Sequence, residues 1–347
     1  MVLGWLAAVV AVAACSGKQA SEPPVTETAV YFDDVAAAAG LDFVHVNNAS
    51  PRKYLPEIMG AGGSVLDYDG DGWMDLYLVQ SGRLPGSDVD IPEVGNRLCR
   101  NRGDGKFEDV TSSANVGDTG YGMGAVAADY DNDGDTDIYV VNFGNDVLYR
   151  NNGDGTFSDV SATSGIDDAS WGSSAAFFDA DGDGNLDLYV ANYLQFTVAD
   201  HVDCGTPSEG IWSYCHPDVY EMEADIYYRG DGKGGFTDAT EAAGLLDTSG
   251  HGKGLGVVAA DLDDDGDADI YVANDSTPNF LYRNLGDGKY EEVGLFTGTS
   301  HNDDGMTDSG MGTDDGDVNG DGLLDLIVTN LSAETNSLYL GGEDFFD

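Results

Sequence analysis

Apolar and polar positions along this chain alternate in short blocks, not in helical stripes. One mostly apolar run recurs five times: Leu76-Tyr-Leu-Val79, Ile138-Tyr-Val-Val141, Leu188-Tyr-Val-Ala191, Ile270-Tyr-Val-Ala273 and Leu326-Ile-Val-Thr329. No segment keeps a helical apolar period for long, so each run predicts a buried strand. A second motif follows the first four runs: Leu98-Cys-Arg-Asn to Phe107-Glu-Asp109, Leu148-Tyr-Arg-Asn to Phe157-Ser-Asp159, Tyr227-Tyr-Arg-Gly to Phe236-Thr-Asp238, and Leu281-Tyr-Arg-Asn to Tyr290-Glu-Glu292. Gly-Asp-Gly between two aromatic strands reads as a hairpin. A third motif precedes each run, with small residues at Gly60/Gly62, Gly122/Gly124, Gly172/Ser174, Gly254/Gly256 and Gly310/Gly312. A strand that needs such side chains converges with its neighbours on a crowded axis.

These pieces make units of four short strands. Four-stranded units repeated around an axis predict an all-β fold, a β-propeller of four-stranded blades. Five blades are visible in residues 30–347, possible members of a seven-bladed ring. The stretch 194–225 is too long for a connecting loop and is read as an insertion on one face. Tyr31-Phe32-Asp33-Asp34-Val35 copies the last strand of a unit, and the chain stops on that same strand near Phe345. Either five blades close with the N-terminal strand, or the chain is a fragment of a longer protein; the fragment is the favoured expectation.

The chemistry lies between the first two strands of each unit. There the sequence reads Asp-x-Asp-x-Asp-Gly-x-x-Asp, with oxygen side chains at positions 1, 3, 5 and 9. The expected metal ligands are Asp67, Asp69, Asp71 and Asp75; Asp129, Asp131, Asp133 and Asp137; Asp179, Asp181, Asp183 and Asp187; Asp261, Asp263, Asp265 and Asp269; and Asp317, Asn319, Asp321 and Asp325. The carbonyls of Trp73, Asp135, Asn185, Asp267 and Leu323 would add position 7. This spacing suits a hard cation, and up to five Ca²⁺ are expected. Two unit charges ~4 Å apart repel by ~4 kcal/mol at an effective dielectric of ~20, and a bound cation turns that repulsion into attraction. Asn319 replaces one carboxylate, which makes loop five the weakest expected site. Affinities of ~10⁻⁴ to 10⁻³ M are typical of extracellular modules.

Composition narrows the partners. The 347 residues carry 64 acidic and 14 basic side chains, a formal charge of −50, with 41% hydrophobic residues. Such a chain is too apolar for a disordered acidic tail. It would repel phosphate, which argues against nucleic acid and against an electrostatic grip on anionic lipid. Residues 1–14 read as a signal peptide ending in Val12-Ala13-Ala14-Cys15, similar to a bacterial lipobox. No Lys or Arg precedes the apolar run, which departs from that pattern. Cys15 would be lipidated, with 15–29 as a flexible tether. The expected location is the outer membrane or cell envelope, or the periplasm or medium if Cys15 is not lipidated. Membrane attachment is expected only through that N-terminal lipid. Cys204 and Cys215 flank a Gly- and Pro-containing loop and are expected to form a disulfide in an oxidising compartment. Cys99 takes a strand position held elsewhere by Tyr149, Tyr228 and Tyr282, and is expected to be a buried thiol.

The blades resemble the FG-GAP/VCBS repeats of integrin α-subunit propellers. Two longer strings are more specific: Tyr271-Val-Ala-Asn274-Asp275-Ser-Thr-Pro278-Asn279-Phe-Leu-Tyr-Arg-Asn284, and Gly310-Met-Gly312 through Asp325-Leu-Ile-Val-Thr-Asn330-Leu-Ser-Ala-Glu-Thr-Asn336-Ser-Leu-Tyr339. Both resemble bacterial relatives of cartilage acidic protein, the ASPIC/UnbV group, and the likeness spans roughly residues 31–347. It implies an extracellular, calcium-binding propeller, usually followed by a C-terminal ASPIC/UnbV domain that this sequence does not contain. It does not supply a reaction.

Residues ten and eight positions before each loop should ring the channel mouth. Glu57, Tyr121, Trp171, His251 and Lys253 are the candidates there for a polar ligand such as a sugar or peptide. The expected function is a binding or adhesion module for an extracellular protein or glycan, with no catalytic residues. The alternative is a propeller hydrolase using His251 or His301 with nearby carboxylates. Against it, His45, His201, His216, His251 and His301 share no motif spacing, and no nucleophile elbow or zincin motif is present.

Overall fold

Position six of every Asp loop is a glycine with positive φ, between 83° and 97°. Position four is also left-handed, and holds only Gly70, Asn132, Gly182, Asp264 or Gly320, the residue types that tolerate it. Each loop therefore turns sharply and sends the chain back as an antiparallel second strand. The computed structural model describes residues 32–302, 304–342 and 345–346. The expected signal peptide, Cys15 and tether lie outside the described residues.

The fold is a β-propeller of five blades. Blade one is built from Gly63–Leu66, Asp75–Leu78, Arg97–Asn101 and Phe107–Asp109. Blade two is Tyr121–Ala128, Asp137–Phe143, Val147–Asn151 and Phe157–Asp159. Blade three is Gly172–Phe178, Asp187–Asn192, Ile226–Gly230 and Phe236–Asp238. Blade four is Gly254–Ala260, Asp269–Asn274, Phe280–Asn284 and Tyr290–Glu292. Each is an antiparallel sheet with its strands in chain order. Blade five pairs Gly310–Gly316, Asp325–Asn330 and Ser337–Tyr339, and the short ladder of Gly341–Gly342 with Phe345–Phe346 continues it.

The interfaces between blades repeat one pattern. On each second strand, alternate side chains face opposite neighbours. Tyr77 and Val79 meet Ile138 and Val140; Tyr139 and Val141 meet Leu188 and Val190; Tyr189 and Ala191 meet Ile270 and Val272; Tyr271 and Ala273 meet Leu326 and Val328. Burying side chains of this size contributes roughly 1.5–3 kcal/mol each. Each of the four tyrosines is fully buried. Its hydroxyl donates to a fixed acceptor: Val116 O for Tyr77, Asp146 for Tyr139, Asp225 for Tyr189 and Thr299 O for Tyr271. Blade five carries Ile327 at this position, 41% exposed, cross-paired with Leu338, also exposed.

First strands of consecutive blades lie side by side, from blade one through blade five. Blades five and one share no comparably extensive contact among the described residues. The crowding expected of the glycine strand is present. A Cβ on Gly256 would stand 2.9 Å from Thr313 N and 3.0 Å from Gly312 Cα. One on Gly172 would stand 2.5 Å from Val141 Cγ1 of the preceding blade.

Two features depart from the repeat reading. Phe32–Val35 form no strand, so no terminal blade takes a strand from these residues. Single-turn helices follow the fourth strands at Thr111–Ala114, Ser161–Ser164, Thr240–Ala243 and Gly294–Thr297. Asp109, Asp159, Asp238 and Glu292 accept the first amide of each of these turns, which explains the acid of the Phe-x-Asp motif. The stretch after Asn192 is an insertion running to Ile226. It contains the hairpin Cys204–Thr206 with Ile211–Ser213 and the Cys204–Cys215 disulfide. Cys99 is a buried free thiol, pushed up to about 11 chiefly by burial.

The Gly256→Ala variant should lose ~1–3 kcal/mol of stability, because the methyl group meets backbone that cannot yield. Gly316→Ala, whose Cβ meets nothing within 4 Å, should change it by less than ~0.5 kcal/mol. Urea unfolding of both variants checks the pair.

Candidate functional site

In every loop the aspartates divide the work. The position-one carboxylate accepts the amides of positions five and six, as Asp67 does from Asp71 N at 3.1 Å and Gly72 N at 2.9 Å. Asp129, Asp179, Asp261 and Asp317 repeat this. The position-five carboxylate accepts the amide of position seven. Asp71, Asp133, Asp183, Asp265 and Asp321 thereby hold Trp73, Asp135, Asn185, Asp267 and Leu323 at 2.8–3.0 Å. The position-nine carboxylate is buried in all five blades. One oxygen accepts the position-two amide and the other an amide of the third strand or, in blade five, its continuation. For Asp137 these are Tyr130 N at 3.2 Å and Asn151 N at 2.7 Å. Asp75, Asp187, Asp269 and Asp325 make the equivalent pairs.

Position three is different. Oδ1 of Asp69, Asp131 and Asp263 is buried and has no hydrogen-bond partner. A buried anionic oxygen without a donor is costly, and a cation is the partner that satisfies it. Around it the structure gathers carboxylates within 4.8 Å: Asp67, Asp69 and Asp71; Asp129, Asp131 and Asp137; Asp179, Asp181 and Asp183; and Asp261, Asp263 and Asp265. These all-oxygen clusters fit a hard divalent ion such as calcium, which would neutralise the charge. Loop five gathers no such set among the described residues. There Asn319 Nδ2 donates to Asp321 Oδ2 at 2.9 Å. Burial, with neighbouring carboxylates, pushes Asp131 and Asp263 upward. Burial pushes Asp137 and Asp269 from 3.8 up to about 7. Third-strand arginines offset part of the repulsion. Arg100 lies 2.7 Å from Asp69 and 2.9 Å from Asp71, and Arg229 lies 3.7 Å from Asp181. Leu340 takes the arginine position in blade five.

Antiparallel order puts the Asp loops, and in blades one to four the Gly-Asp-Gly turns, at one end of each blade. The second-to-third connections and the links between blades occupy the other end, where the insertion folds. Its two arms are zipped together, with Gln195 N on Glu221 O at 2.9 Å and Glu223 N on Tyr193 O at 3.2 Å. Tyr193 N bonds Trp171 O at 2.9 Å, which ties them to the link between blades two and three. Against the hairpin packs the segment before blade one, with Arg52 2.6 Å from Asp203 and its guanidinium over the Trp212 ring. A cleft of about 640 Å³ opens beside the arms, lined by Trp171, Phe196, Val219, Tyr220, Glu221 and Glu223 among others.

The expected mouth residues do not form one open ring. Glu57 is buried, accepting from Ser50 N and Tyr214 OH. Tyr121 is buried and donates to the carbonyls of Asn47 and Pro56. Lys253 is buried, with Nζ 2.7 Å from Asp218 Oδ1, and that contact draws the Asp218 carboxyl below its ordinary value. Trp171 alone of the five lines the cleft, while His251 is exposed on the link between blades three and four. His301, its Nδ1 2.7 Å from Ser300 Oγ, stands on the next link.

The model of the FG-GAP-like repeat matches residues 67–140, 129–190, 216–272 and 261–328, most of the chain. The chain belongs to this family. No curated protein matches it. Solved structures similar to the FG-GAP-like chain include an Agrocybe aegerita lectin that recognises non-reducing terminal N-acetylglucosamine, 17% identical at TM-score 0.42, covering 82% of this chain and 64% of that one. The V. cholerae biofilm matrix protein Bap1 is 16% identical at TM-score 0.41, over 82% of this chain and 38% of that one. A Bacillus licheniformis rhamnogalacturonan lyase is 15% identical at TM-score 0.40, over 83% and 46%. The chain thus spans less than two thirds of each of these proteins.

One set of FG-GAP-like blade residues escaped the motif reading. Asn96, Asp146, Asp225, Asn279 and Asn336 each accept, through Oδ1, a backbone amide at or near the end of the second strand, that of Gln80, Asn142, Asn192, Asn274 or Asn330, at 2.6–3.0 Å. The signal was available: each stands two residues before the Leu or Tyr that opens the third-strand motif. Burial pushes Asp225 up to about 7 and Asp146 well upward.

Chelation should lower the melting temperature steeply, because an ion held by the clustered carboxylates would bind only the folded loops. The chelated protein should also lose stability as pH rises from 3.8 towards 7, since the folded state holds protons on Asp137 and Asp269 that the unfolded chain has already released. Saturating calcium should reverse that slope, because it requires the ionised carboxylates. Melting curves across pH, with chelator and with calcium, test both statements. An unchanged melt in chelator would remove the metal assignment.

Proposed function

We propose that this chain is a calcium-stabilised, extracytoplasmic propeller that binds a protein or glycan at the cell envelope. The observation that carries this reading is the division between the two ends of the blades. Carboxylate clusters sit at one end on loops of constant spacing. The other end carries the disulfide-bonded insertion and its cleft. Ions at the first end stabilise the scaffold without occupying the second. Binding sites are commonly displayed in this way, on variable connections over a rigid frame. The charge of −50 favours partners that are not polyanions.

The envelope location rests on the lipobox-like Val12 to Cys15 and on a cysteine pair suited to an oxidising compartment. The two long strings in blades four and five support the narrower placement beside the ASPIC/UnbV group. Binding is favoured over hydrolysis because His251 and His301 stand on separate links between blades.

The Cys204→Ser/Cys215→Ser double variant should keep calcium-dependent melting while losing most partner binding on glycan and envelope-protein arrays. Undiminished binding by that variant would move the partner site off the insertion. Cys15→Ser should shift the protein from the membrane fraction to the soluble fraction, read by fractionation and immunoblot.

A further inference from the structure

The tip of the insertion, residues 203–218, is held to the propeller by side chains. Among the described residues, no backbone-to-backbone hydrogen bond joins this stretch to another part of the chain. None of its side chains belongs to the apolar clusters of the core. The residues that flank it differ. The His201 ring packs edge-on against Tyr54 at 4.8 Å, and Tyr220 packs against Phe196 at 5.2 Å. The tip therefore hangs between two anchored feet. Within it, the Cys204–Cys215 disulfide and the ladder of Cys204–Thr206 with Ile211–Ser213 make one unit. Segments with few buried apolar contacts are the ones that open at low free-energy cost.

We propose that this tip is a lid, latched at Arg52 and at Lys253, whose opening bares Glu57 and Lys253. The first latch lies on the segment before blade one. The Arg52 guanidinium is 2.6 Å from Asp203 and sits over the Trp212 ring at 5.5 Å, and Lys53 sits over the Tyr214 ring at 5.3 Å. The second latch lies on the link between blades three and four, where Lys253 Nζ is 2.7 Å from Asp218. Beneath the tip, Tyr214 OH donates to Glu57 Oε2 at 3.3 Å. Glu57 is 1% exposed and Lys253 7%. Residues of these types are rarely buried so fully unless they are paired, and each has a partner in the tip. The cover itself is held weakly. Its carboxylates Asp203 and Asp218 are 39% and 64% exposed, so salt screens both ion pairs. An open lid presents one acid and one base, which suits a partner that carries both charges. That use rests on the reading that this end of the propeller binds a partner; the lid itself does not.

The test reads the accessibility of Lys253 in the full chain in calcium buffer. Amines are acetylated with an N-hydroxysuccinimide ester, and mass spectrometry compares the rate at Lys253 with that at Lys233, an exposed lysine on the turn before Phe236. Arg52→Ala leaves the Lys253–Asp218 pair untouched. It should nevertheless raise the relative acetylation of Lys253 by roughly tenfold, the combined weight of one exposed ion pair and one cation–π contact. Trp212→Leu should act in the same direction, and the melting temperature should stay unchanged in both variants. Added sodium chloride should raise the acetylation of Lys253 in the unmutated chain, which keeps the test decisive if a variant fails to fold. A Lys253 rate that ignores both variants and every salt concentration overturns the lid and makes the tip a fixed part of the scaffold. A Lys253 that reacts only when the whole chain melts overturns it equally. An unmutated chain that passes the acetylation test but binds nothing on glycan and protein arrays keeps the lid and loses the binding reading.

Discussion

The buried carboxylate at position nine is the constraint on which each blade depends. Asp75, Asp137, Asp187, Asp269 and Asp325 each spend one oxygen on their own loop and the other on the chain of the third strand or its continuation. Loop, second strand and third strand therefore meet at one anion. Neutral amides can orient such a charge, but they do not cancel it, and burial raises the proton affinity of Asp75, Asp137, Asp187 and Asp269. A cation beside it resolves the conflict, and the unsatisfied position-three oxygens lie in the same loops. The amide network shapes the loop, and a cation held by the clustered carboxylates would remove the remaining electrostatic cost. Replacing the carboxylate with a neutral group would ease the burial but leave the ion less charge to bind.

The interface between blades follows from side-chain size. Glycine lets first strands approach until a methyl group would collide, as at Gly256 against Thr313 and Gly312. Farther out, a tyrosine fills the widening gap and ends in a hydroxyl donated to a fixed acceptor. Small residues inside and a long wedge outside oblige neighbouring sheets to splay, which is the geometry of blades around an axis. On blade five the same face, with Ile327 and Leu338, is exposed because no further sheet packs extensively against it among the described residues.

Much of this was legible because it repeats. Loop spacing, hairpin turns, the glycine strand and the Cys204–Cys215 pair all have local signatures, and each is where the residues placed it. What escaped depends on partners that do not repeat. Counting back from the loops set Glu57, Tyr121 and Lys253 at an open mouth. The structure covers them with Tyr214, the segment around Asn47 and Pro56, and Asp218, none of which belongs to the repeat. The position-nine aspartate was read as a ligand from its spacing, and its amide bonds could not be inferred without the third strand beside it. Asn96 and its four counterparts were visible in register, yet two residue types at one position hid a shared role. The segment from Phe32 matches a strand motif and forms no strand, because a motif supplies edge chemistry and not a partner sheet.

The two ends of the blades answer to different physics, and this explains where the chain varies. A loop that turns at fixed left-handed positions and presents carboxylates at fixed spacing must keep one length, and every Asp loop does, with glycine at position six while positions two, seven and eight vary. The second-to-third connections face no such requirement. They range from the short turn after Phe143 to the insertion after Asn192, which builds its own hairpin and disulfide. A change at that end leaves the carboxylate clusters untouched, since they lie a strand length away. A change at one end of the blades can therefore leave the packing and the carboxylate clusters of the other unaltered.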